Sequence, residues 1–244
     1  MTRRADAARA CRRWGAGFVA AALLWGGFTT GSFYVRHWSA VTHLPTRVET
    51  FVRRHHGHWV SLAAVSPWFT EALVATEDRT FYTNLGISVR GIARSLWVDL
   101  STGQFTEGGS TLTQQLVRDQ LLSPEKTLRR KLAEALLSVL VTALYPKSVI
   151  LTLYVNQVDL GHGFYGVDRA SWGYFGRPPA RLTLNQAALL AGLPQDPAAL
   201  DPLRHLRAAR ARERVVLDSL VALHLVSPAR AEAAWRSPLG LVRP

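Results

Sequence analysis

The stretch "TLNQAALLAGLPQDP", residues 183–197, carries the signals of a buried α-helix. Thr183 and Gln186 stand at the spacing of a capping box, in which each side chain satisfies a free backbone N–H at the start of a helix. Along most of the chain apolar residues recur at spacings of three and four, which is the period of a helix, and strand patterns are scarce. The sequence therefore predicts a mainly α-helical protein.

Further helix starts are marked by serine followed by proline. A serine hydroxyl can cap a helix, and proline is well suited to the first helical position, where its missing N–H leaves no bond unmade. This pattern occurs at Ser66-Pro67, Ser123-Pro124 and Ser227-Pro228. A helix ended by Pro146 is also predicted from an apolar stripe. The stripe consists of Leu128, Leu132, Leu136, Val139 and Ala143.

The N-terminus predicts a single membrane anchor. Residues 14–35 form an uncharged apolar segment long enough to cross a bilayer as a helix. Residues 1–13 hold five arginines and one aspartate, so this basic tail is expected in the cytoplasm and the rest of the chain outside it. A cleaved signal peptide is the alternative, but a small-residue cleavage site is missing and aromatic residues follow the apolar core. Residues 36–65 are interpreted as a juxtamembrane connector and residues 66–244 as one compact domain.

The net charge and the cysteine count of the chain limit the classes of partner that it can bind. The 244 residues carry a net charge of +12, which predicts an anionic partner: nucleic acid, a membrane surface or a phosphorylated substrate. Because the basic domain is predicted to lie outside the cytoplasm, nucleic acid is not expected. Cys11 is the only cysteine, so neither an intrachain disulfide nor a cysteine-based zinc site can form.

Several groups of polar residues are candidates for a functional site, and each group also has an ordinary structural explanation. Glu77 and Asp78 are adjacent acids in an apolar segment, where a solvated helix end is the ordinary explanation. Thr111, Gln115 and Arg118 share one helix face after a diglycine; an ordinary capped helix would not need all three. Arg130, Lys131 and Glu134 have the spacing of a surface ion pair. The run "RAARARER", residues 207–214, is interpreted as a solvated helix face.

Taken together, these motifs resemble the peptidoglycan glycosyltransferases of family 51, which polymerise lipid II into glycan strands. The motifs are "EDRTFYTNLG" (77–86), "GGSTLTQQLVR" (108–118), "RKLAE" (130–134), "ILTLYVNQVDLG" (150–161) and "GVDRASWGYFGRPPARLTLNQAALLAGLPQDP" (166–197). The resemblance runs from about residue 60 to about residue 235. Each motif is weak alone, whereas five in register are specific.

The resemblance implies a lysozyme-like helical domain of two lobes with a cleft between them. It also implies a partly membrane-embedded region near residues 95–110, supplied here by Leu96, Trp97, Leu100 and Phe105. The expected location is the bacterial inner membrane, with a periplasmic catalytic domain and no transpeptidase domain. Expected partners are lipid II, the growing lipid-linked glycan, the membrane and other cell-wall synthesis or division proteins.

The resemblance also implies roles for single residues. Glu77 is expected to be the general base that takes the proton of the acceptor sugar's C4 hydroxyl, since enclosure in a cleft makes a carboxylate a better proton acceptor. Glu134 is expected near the leaving pyrophosphate, with Mg²⁺ or Mn²⁺ as the candidate metal and no organic cofactor. The pyrophosphate charge is expected to be met by Arg118, Arg130 and Lys131. The substrate cleft is expected to be lined by Asp78, Phe81, Asn84, Thr111 and Gln115.

Two positions depart from the family pattern. Asn84 stands where the family usually has histidine, which puts a titrating role there in doubt. Arg118 stands where the family usually has lysine; it keeps the charge but presents a planar fork. These departures make a non-catalytic cell-wall scaffold one alternative to a lipid II polymerase. A lytic muramidase on the same fold is the other alternative; it would need a general acid but not the cluster of Arg118, Arg130 and Lys131.

Overall fold

The computed structural model describes residues 31–88, 91, 109–125 and 127–242 of the chain. Two compact units are distinguished, Met1–Thr42 and His43–Pro244. In the first, residues 31–42 are helical. No helix in the described part of the chain is long and apolar enough to cross a bilayer. Most of the predicted anchor, residues 14–35, and all four residues of the predicted membrane-contact region lie outside the described residues.

The second unit is built from α-helices, as the sequence predicts. They are α1 (Leu44–Arg54), α2 (Pro67–Glu77), α3 (Leu112–Leu121), α4 (Leu128–Leu144), α5 (Lys147–Gln157), α6 (Val167–Phe175), α7 (Leu184–Gly192), α8 (Leu206–Ala222) and α9 (Pro228–Arg236). Short 3₁₀ turns lie at Leu62–Ala64, Pro179–Arg181 and Leu193–Gln195. Within the described ranges, β structure is limited to one antiparallel bridge between Asp159 and Tyr165.

The helix starts agree with two of the three serine-proline predictions. Helix α2 begins at Pro67 and α9 at Pro228, where the Ser227 hydroxyl accepts from the N–H of Arg230. The third prediction is wrong, because no described helix begins at Pro124 and α4 begins at Leu128. The Thr127 hydroxyl accepts from the N–H of Arg130 and supplies the cap instead.

The helices pack in two groups. Helices α2, α7, α8 and α9 pack against one another, and α1, α3, α4 and α5 form the other group. Fully buried side chains in the first group include Phe69, Leu73, Leu189 and Val216. In the second group they include Val48, Leu116, Val141 and Ile150. The C-terminal end of α2 meets α3 of the second group at Glu77, through a hydrogen bond to Gln115.

The buried face of α4 differs from the predicted stripe. Leu128 and Leu132 are 77% and 63% exposed, whereas Glu134, Leu137, Ser138 and Val141 are buried. The helix predicted from this stripe is confirmed and ends before Pro146, but the stripe is not its buried face, although the most apolar face of an amphipathic helix usually packs inward. Here the inner face carries a carboxylate that has its own partners, and two leucines are left at the surface.

The compact unit also begins earlier than residue 66. It starts at His43 and includes α1, a helix within the stretch interpreted as a connector. Leu44, Val48 and Val52 recur every four residues on α1 and are buried, and α1 packs on α5 and α3. Three arginines on the other faces of α1, with histidines directly before and after the helix, obscured this short stripe.

Candidate active site

Glu77 lies at the C-terminal end of α2, with its side chain 13% exposed. Its Oε2 accepts a hydrogen bond of 2.9 Å from Nε2 of Gln115 on α3. Its Oε1 lies 3.4 Å from NH2 of Arg212 on α8. The carboxylate is therefore enclosed and is contacted from two other helices, α3 and α8, unlike the solvated helix end of the plainer interpretation.

Arg212 is a residue that the sequence interpretation missed. The run "RAARARER" is not a solvated face throughout, because Arg212 is 18% exposed and reaches Glu77, while Glu213 beside it is buried. Arg212 crosses α7 at Gly192, where a Cβ would lie 2.7 Å from its Cγ. Its partner Glu77 is 135 residues distant in sequence, so local spacing carries no signal for the contact.

Asp78 and Asn84 form a neighbouring polar network. Asp78 is buried and accepts hydrogen bonds from Asn84 Nδ2 at 2.9 and 3.0 Å and from the N–H of Leu112 at the start of α3. Burial raises the pKa of Asp78, against the opposing effect of the Asn84 hydrogen bonds. Asn84 Oδ1 accepts from Lys147 Nζ at 2.9 Å. Burial lowers the pKa of Lys147. The amide of Asn84 thus donates to one charged group and accepts from the other.

Two further predicted cleft residues are buried within the packing. Phe81 is fully buried, and the Nζ of Lys147 lies 4.9 Å from its ring centroid. Thr111 is 1% exposed, caps α3 by accepting from the N–H of Gln114, and donates to the carbonyl of Gly86 at 2.7 Å. Gly86 has φ +92°, and a Cβ there would collide with the Ser138 carbonyl oxygen. These contacts tie Gly86 to the start of α3 and to α4.

Glu134 forms the second carboxylate cluster. It is 1% exposed on the inner face of α4. Lys131 Nζ lies 2.5 Å from its Oε1 and Arg130 NH1 lies 3.5 Å from its Oε2. Lys131 also donates to Ser110 Oγ at 2.8 Å, next to the start of α3. Both cations predicted from the motif are thus held beside the predicted carboxylate, and the pair is buried on the carboxylate side rather than lying on the surface.

Arg118 has a different neighbour. Its Nε donates to Asp119 Oδ1 at 2.8 Å, and both side chains are about one-third exposed. The described contacts between side chains bring Arg130 and Lys131 to Glu134 and bring Arg118 to Asp119. A role for Arg118 at the pyrophosphate therefore stays a prediction.

The predicted divalent cation does not fit the donor set at Glu134. Both carboxylate oxygens are engaged by positive groups, which a Mg²⁺ or Mn²⁺ ion would have to displace. Among the described residues, no group of three His, Cys, Asp or Glu side chains is arranged to hold a metal ion. A requirement for Mg²⁺ or Mn²⁺ stays a prediction, to be tested by chelation.

Comparison with known proteins gives a family match over most of the chain. A family model described as Transglycosylase matches residues 45–221. A Cupriavidus necator protein named as a candidate transglycosylase is 38% identical over 188 residues, which cover 77% of this chain and 81% of that protein.

Longer relatives share the same region. Penicillin-binding protein 1A of Aquifex aeolicus is 40% identical over 181 residues, which are 74% of this chain and 25% of that protein. The matched region is thus about a quarter of that relative's length. The crystal structure of penicillin-binding protein 1A from Haemophilus influenzae aligns with 76% of this chain and 18% of its own, at 22% identity and a TM-score of 0.45.

Proposed function

The chain belongs to the transglycosylase family, in agreement with the resemblance to peptidoglycan glycosyltransferases, and we propose that it polymerises lipid II into β-1,4-linked glycan strands. The observation that carries this proposal is the pair of enclosed carboxylates. Glu77 is held by an amide and one guanidinium, whereas Glu134 is held by two cations. The two environments suit a proton acceptor and an anion-binding group respectively.

In the proposed reaction Glu77 is the general base. It takes the proton from the C4 hydroxyl of the acceptor sugar, whose oxygen attacks C1 of the lipid-linked donor. The bond from C1 to the pyrophosphate oxygen breaks, undecaprenyl pyrophosphate leaves with the bonding electrons, and the linkage inverts from α to β. Supporting this role, Glu77 is 13% exposed and bridges the two groups of helices, as expected for a cleft between two lobes.

Glu134 holds the cations that the leaving group requires. Lys131 is 47% exposed, so its ammonium can meet a pyrophosphate oxygen while it keeps contact with the Glu134 carboxylate. Arg130 is 11% exposed and stays close to the same carboxylate. Positive groups fixed in advance where negative charge develops stabilise a transition state without further reorganisation. A carboxylate already paired with two cations is in turn a poor proton acceptor, which separates its role from that of Glu77.

The exposed leucines of α4 support a membrane-facing site. Leu128 and Leu132 project at the surface beside the exposed Arg129 and Lys131. Apolar side chains flanked by basic ones favour an anionic membrane surface. With the predicted anchor at residues 14–35, we place the N-terminus in the cytoplasm and the catalytic unit at the outer face of the bacterial inner membrane.

Incubation of the full chain with lipid II in detergent or vesicles tests the proposed function. We expect consumption of lipid II and release of undecaprenyl pyrophosphate, with β-1,4 glycan as the product, and no release of fragments from finished sacculi. Fragments from sacculi without use of lipid II would instead identify a lytic muramidase. Binding of lipid II without any glycan would contradict catalysis and favour a scaffold.

A further inference from the structure

Tyr154 is a buried phenol connected to the proposed general base through one side chain. It lies on α5 and is fully buried. Its hydroxyl donates a hydrogen bond of 2.8 Å to Oε1 of Gln115. The other end of the same amide, Nε2, donates to Glu77 Oε2 at 2.9 Å. A continuous line of hydrogen bonds therefore runs from α5 through α3 to the end of α2.

The direction of this line is fixed by the chemistry of its ends. An ionised carboxylate only accepts hydrogen bonds, so the Gln115 amide must turn its NH₂ toward Glu77. The amide oxygen then faces Tyr154, whose hydroxyl must donate. Burial, reinforced by the negative charges of Glu77 and Asp119, raises the pKa of Tyr154 well above its usual range, so the phenol keeps its proton at working pH.

We propose that Tyr154 is a positioning residue for the transferase reaction: its hydroxyl holds the Gln115 amide in the orientation that fixes the Glu77 carboxylate. This inference rests on the proposed role of Glu77. Gln115 is 8% exposed, so without the phenol its oxygen would lack a donor in a site with little access to water. The amide would then turn away or admit a water molecule, and Glu77 would lose its fixed position.

The hydroxyl can be removed without removing the ring. In Tyr154→Phe we expect kcat on lipid II to fall about tenfold or more, because small misplacements of a catalytic group cost large factors in rate. KM should stay within about threefold, since the proposed role concerns the base rather than substrate affinity. A kcat within about twofold of wild type would overturn the inference.

Tyr174→Phe is the matched control. Tyr174 is also fully buried, and its hydroxyl donates 2.9 Å to a single acceptor, the backbone carbonyl of Leu160. Both variants delete one phenol hydrogen bond, so their melting temperatures should fall by similar amounts. Only Tyr154→Phe should lose kcat. An equal loss of kcat in Tyr174→Phe would mean that the effect is general destabilisation and would overturn the inference.

A double-mutant cycle with Gln115→Met tests whether Tyr154 acts through Gln115. Methionine keeps the side-chain length but deletes the amide, so Gln115→Met alone should lower kcat as Tyr154→Phe does. In the Gln115→Met background, Tyr154→Phe should cause less than about twofold further loss, since the line is already broken. Independent, multiplying losses would overturn the inference. Should Tyr154→Phe fail to fold, the kcat and KM of Gln115→Met carry the test of the same line.

Failure of the inference can be told from failure of the proposed function. If wild type polymerises lipid II, Glu77→Gln does not, and Tyr154→Phe is normal, only the positioning role is wrong. If wild type makes no glycan, or Glu77→Gln remains active, the proposed function falls and the role of Tyr154 falls with it.

Discussion

The two carboxylates of the site are assembled in opposite ways. Glu134 receives its partners from its own helix, Arg130 and Lys131, at spacings of four and three residues. Glu77 receives Gln115 and Arg212 from other helices, 38 and 135 residues away in sequence. The first cluster forms with a single helix, whereas the second exists only once α2, α3 and α8 have packed together.

This difference separates two chemical tasks. A carboxylate beside two cations is neutralised, and it keeps those cations in place for an anionic leaving group. A carboxylate beside an amide and a guanidinium at 3.4 Å is oriented but less fully paired, which leaves it able to accept a proton. Substitutions that act on one cluster and not on the other test whether the two carboxylates have these separate roles.

Apart from loss of the general base itself, the largest effect is expected at the local cluster, in Glu134→Gln. The amide cannot neutralise Arg130 and Lys131, so the cations should repel each other and move. We expect kcat on lipid II to fall by about a hundredfold to a thousandfold, the range for losing one preorganised electrostatic group. Glu125→Gln, at an exposed glutamate just before α4, is the control and should keep normal activity. Near-normal kcat in Glu134→Gln would remove this cluster from catalysis.

Titration of a third buried carboxylate, Glu213, should change the stability of the protein rather than its activity. It is fully buried beside Arg210, and burial raises its pKa to about 7. A raised folded-state pKa means that its contribution to stability is fully present below its unfolded pKa of about 4.5 and is lost as pH rises through about 7. Between pH 5 and pH 8, the free energy of unfolding of wild type should therefore fall relative to that of Glu213→Gln, by about 1 to 3 kcal/mol.

Chemical denaturation of both proteins at several pH values measures this difference. Glu232→Gln is the control, because hydrogen bonds from Arg214 and Arg236 lower the pKa of Glu232, and its titration lies below this window. A stability difference between wild type and Glu213→Gln that is constant from pH 5 to pH 8 would show that Glu213 is already ionised throughout, as its contact with Arg210 alone would favour.

A smaller effect is expected at the non-local cluster, in Arg212→Met. Methionine can fill the space beside Gly192 but offers no charge to Glu77, so kcat should fall about tenfold, or about 1.4 kcal/mol. Arg214→Met on the same helix removes ion pairs to Asp218 and Glu232 and should keep kcat within about twofold. Steady-state kinetics on lipid II compares the two; equal losses would assign the effect to helix α8 rather than to Glu77.

The smallest effect is expected at Arg118. Because it is paired with Asp119 and about one-third exposed, we expect Arg118→Ala to lose less than about tenfold in kcat and Arg118→Lys to be near wild type. Lys131→Ala is the reference for the loss of a pyrophosphate-binding cation, since Lys131 is in contact with Glu134. If Arg118→Ala lost as much activity as Lys131→Ala, Arg118 would belong with the pyrophosphate-binding cations.

The same contrast explains what could be predicted from sequence. The helical class, the starts of α2 and α9 and the Arg130–Glu134 spacing depend on neighbouring residues, and local pattern predicted them correctly. The inner face of α4 did not follow from pattern, because Glu134 and Ser138 are buried while Leu128 and Leu132 are exposed. Burial of a charged residue depends on partners whose positions are set only by packing.

Contacts between helices that are far apart in sequence could not be predicted from local sequence pattern. Arg212 and Lys147 are ordinary basic residues in sequence, and only the folded chain brings them to Glu77 and Asn84. Tyr154 lies within the motif at residues 150–161, yet its link to Gln115 depends on how α5 packs on α3. The family resemblance supplied Glu77 and Glu134 as candidates; it could not supply the side chains that hold them.

The most direct measurement of the central claim is the turnover of lipid II by Glu77→Gln. The amide keeps the shape of the side chain but cannot accept the proton of the acceptor hydroxyl, so binding of lipid II should persist while polymerisation is lost. Glu71→Gln, on the same helix α2, is the control and should polymerise normally. We expect turnover below one-tenth of wild type with unchanged lipid II affinity; turnover above one-tenth in a folded Glu77→Gln variant would show that Glu77 is not the general base.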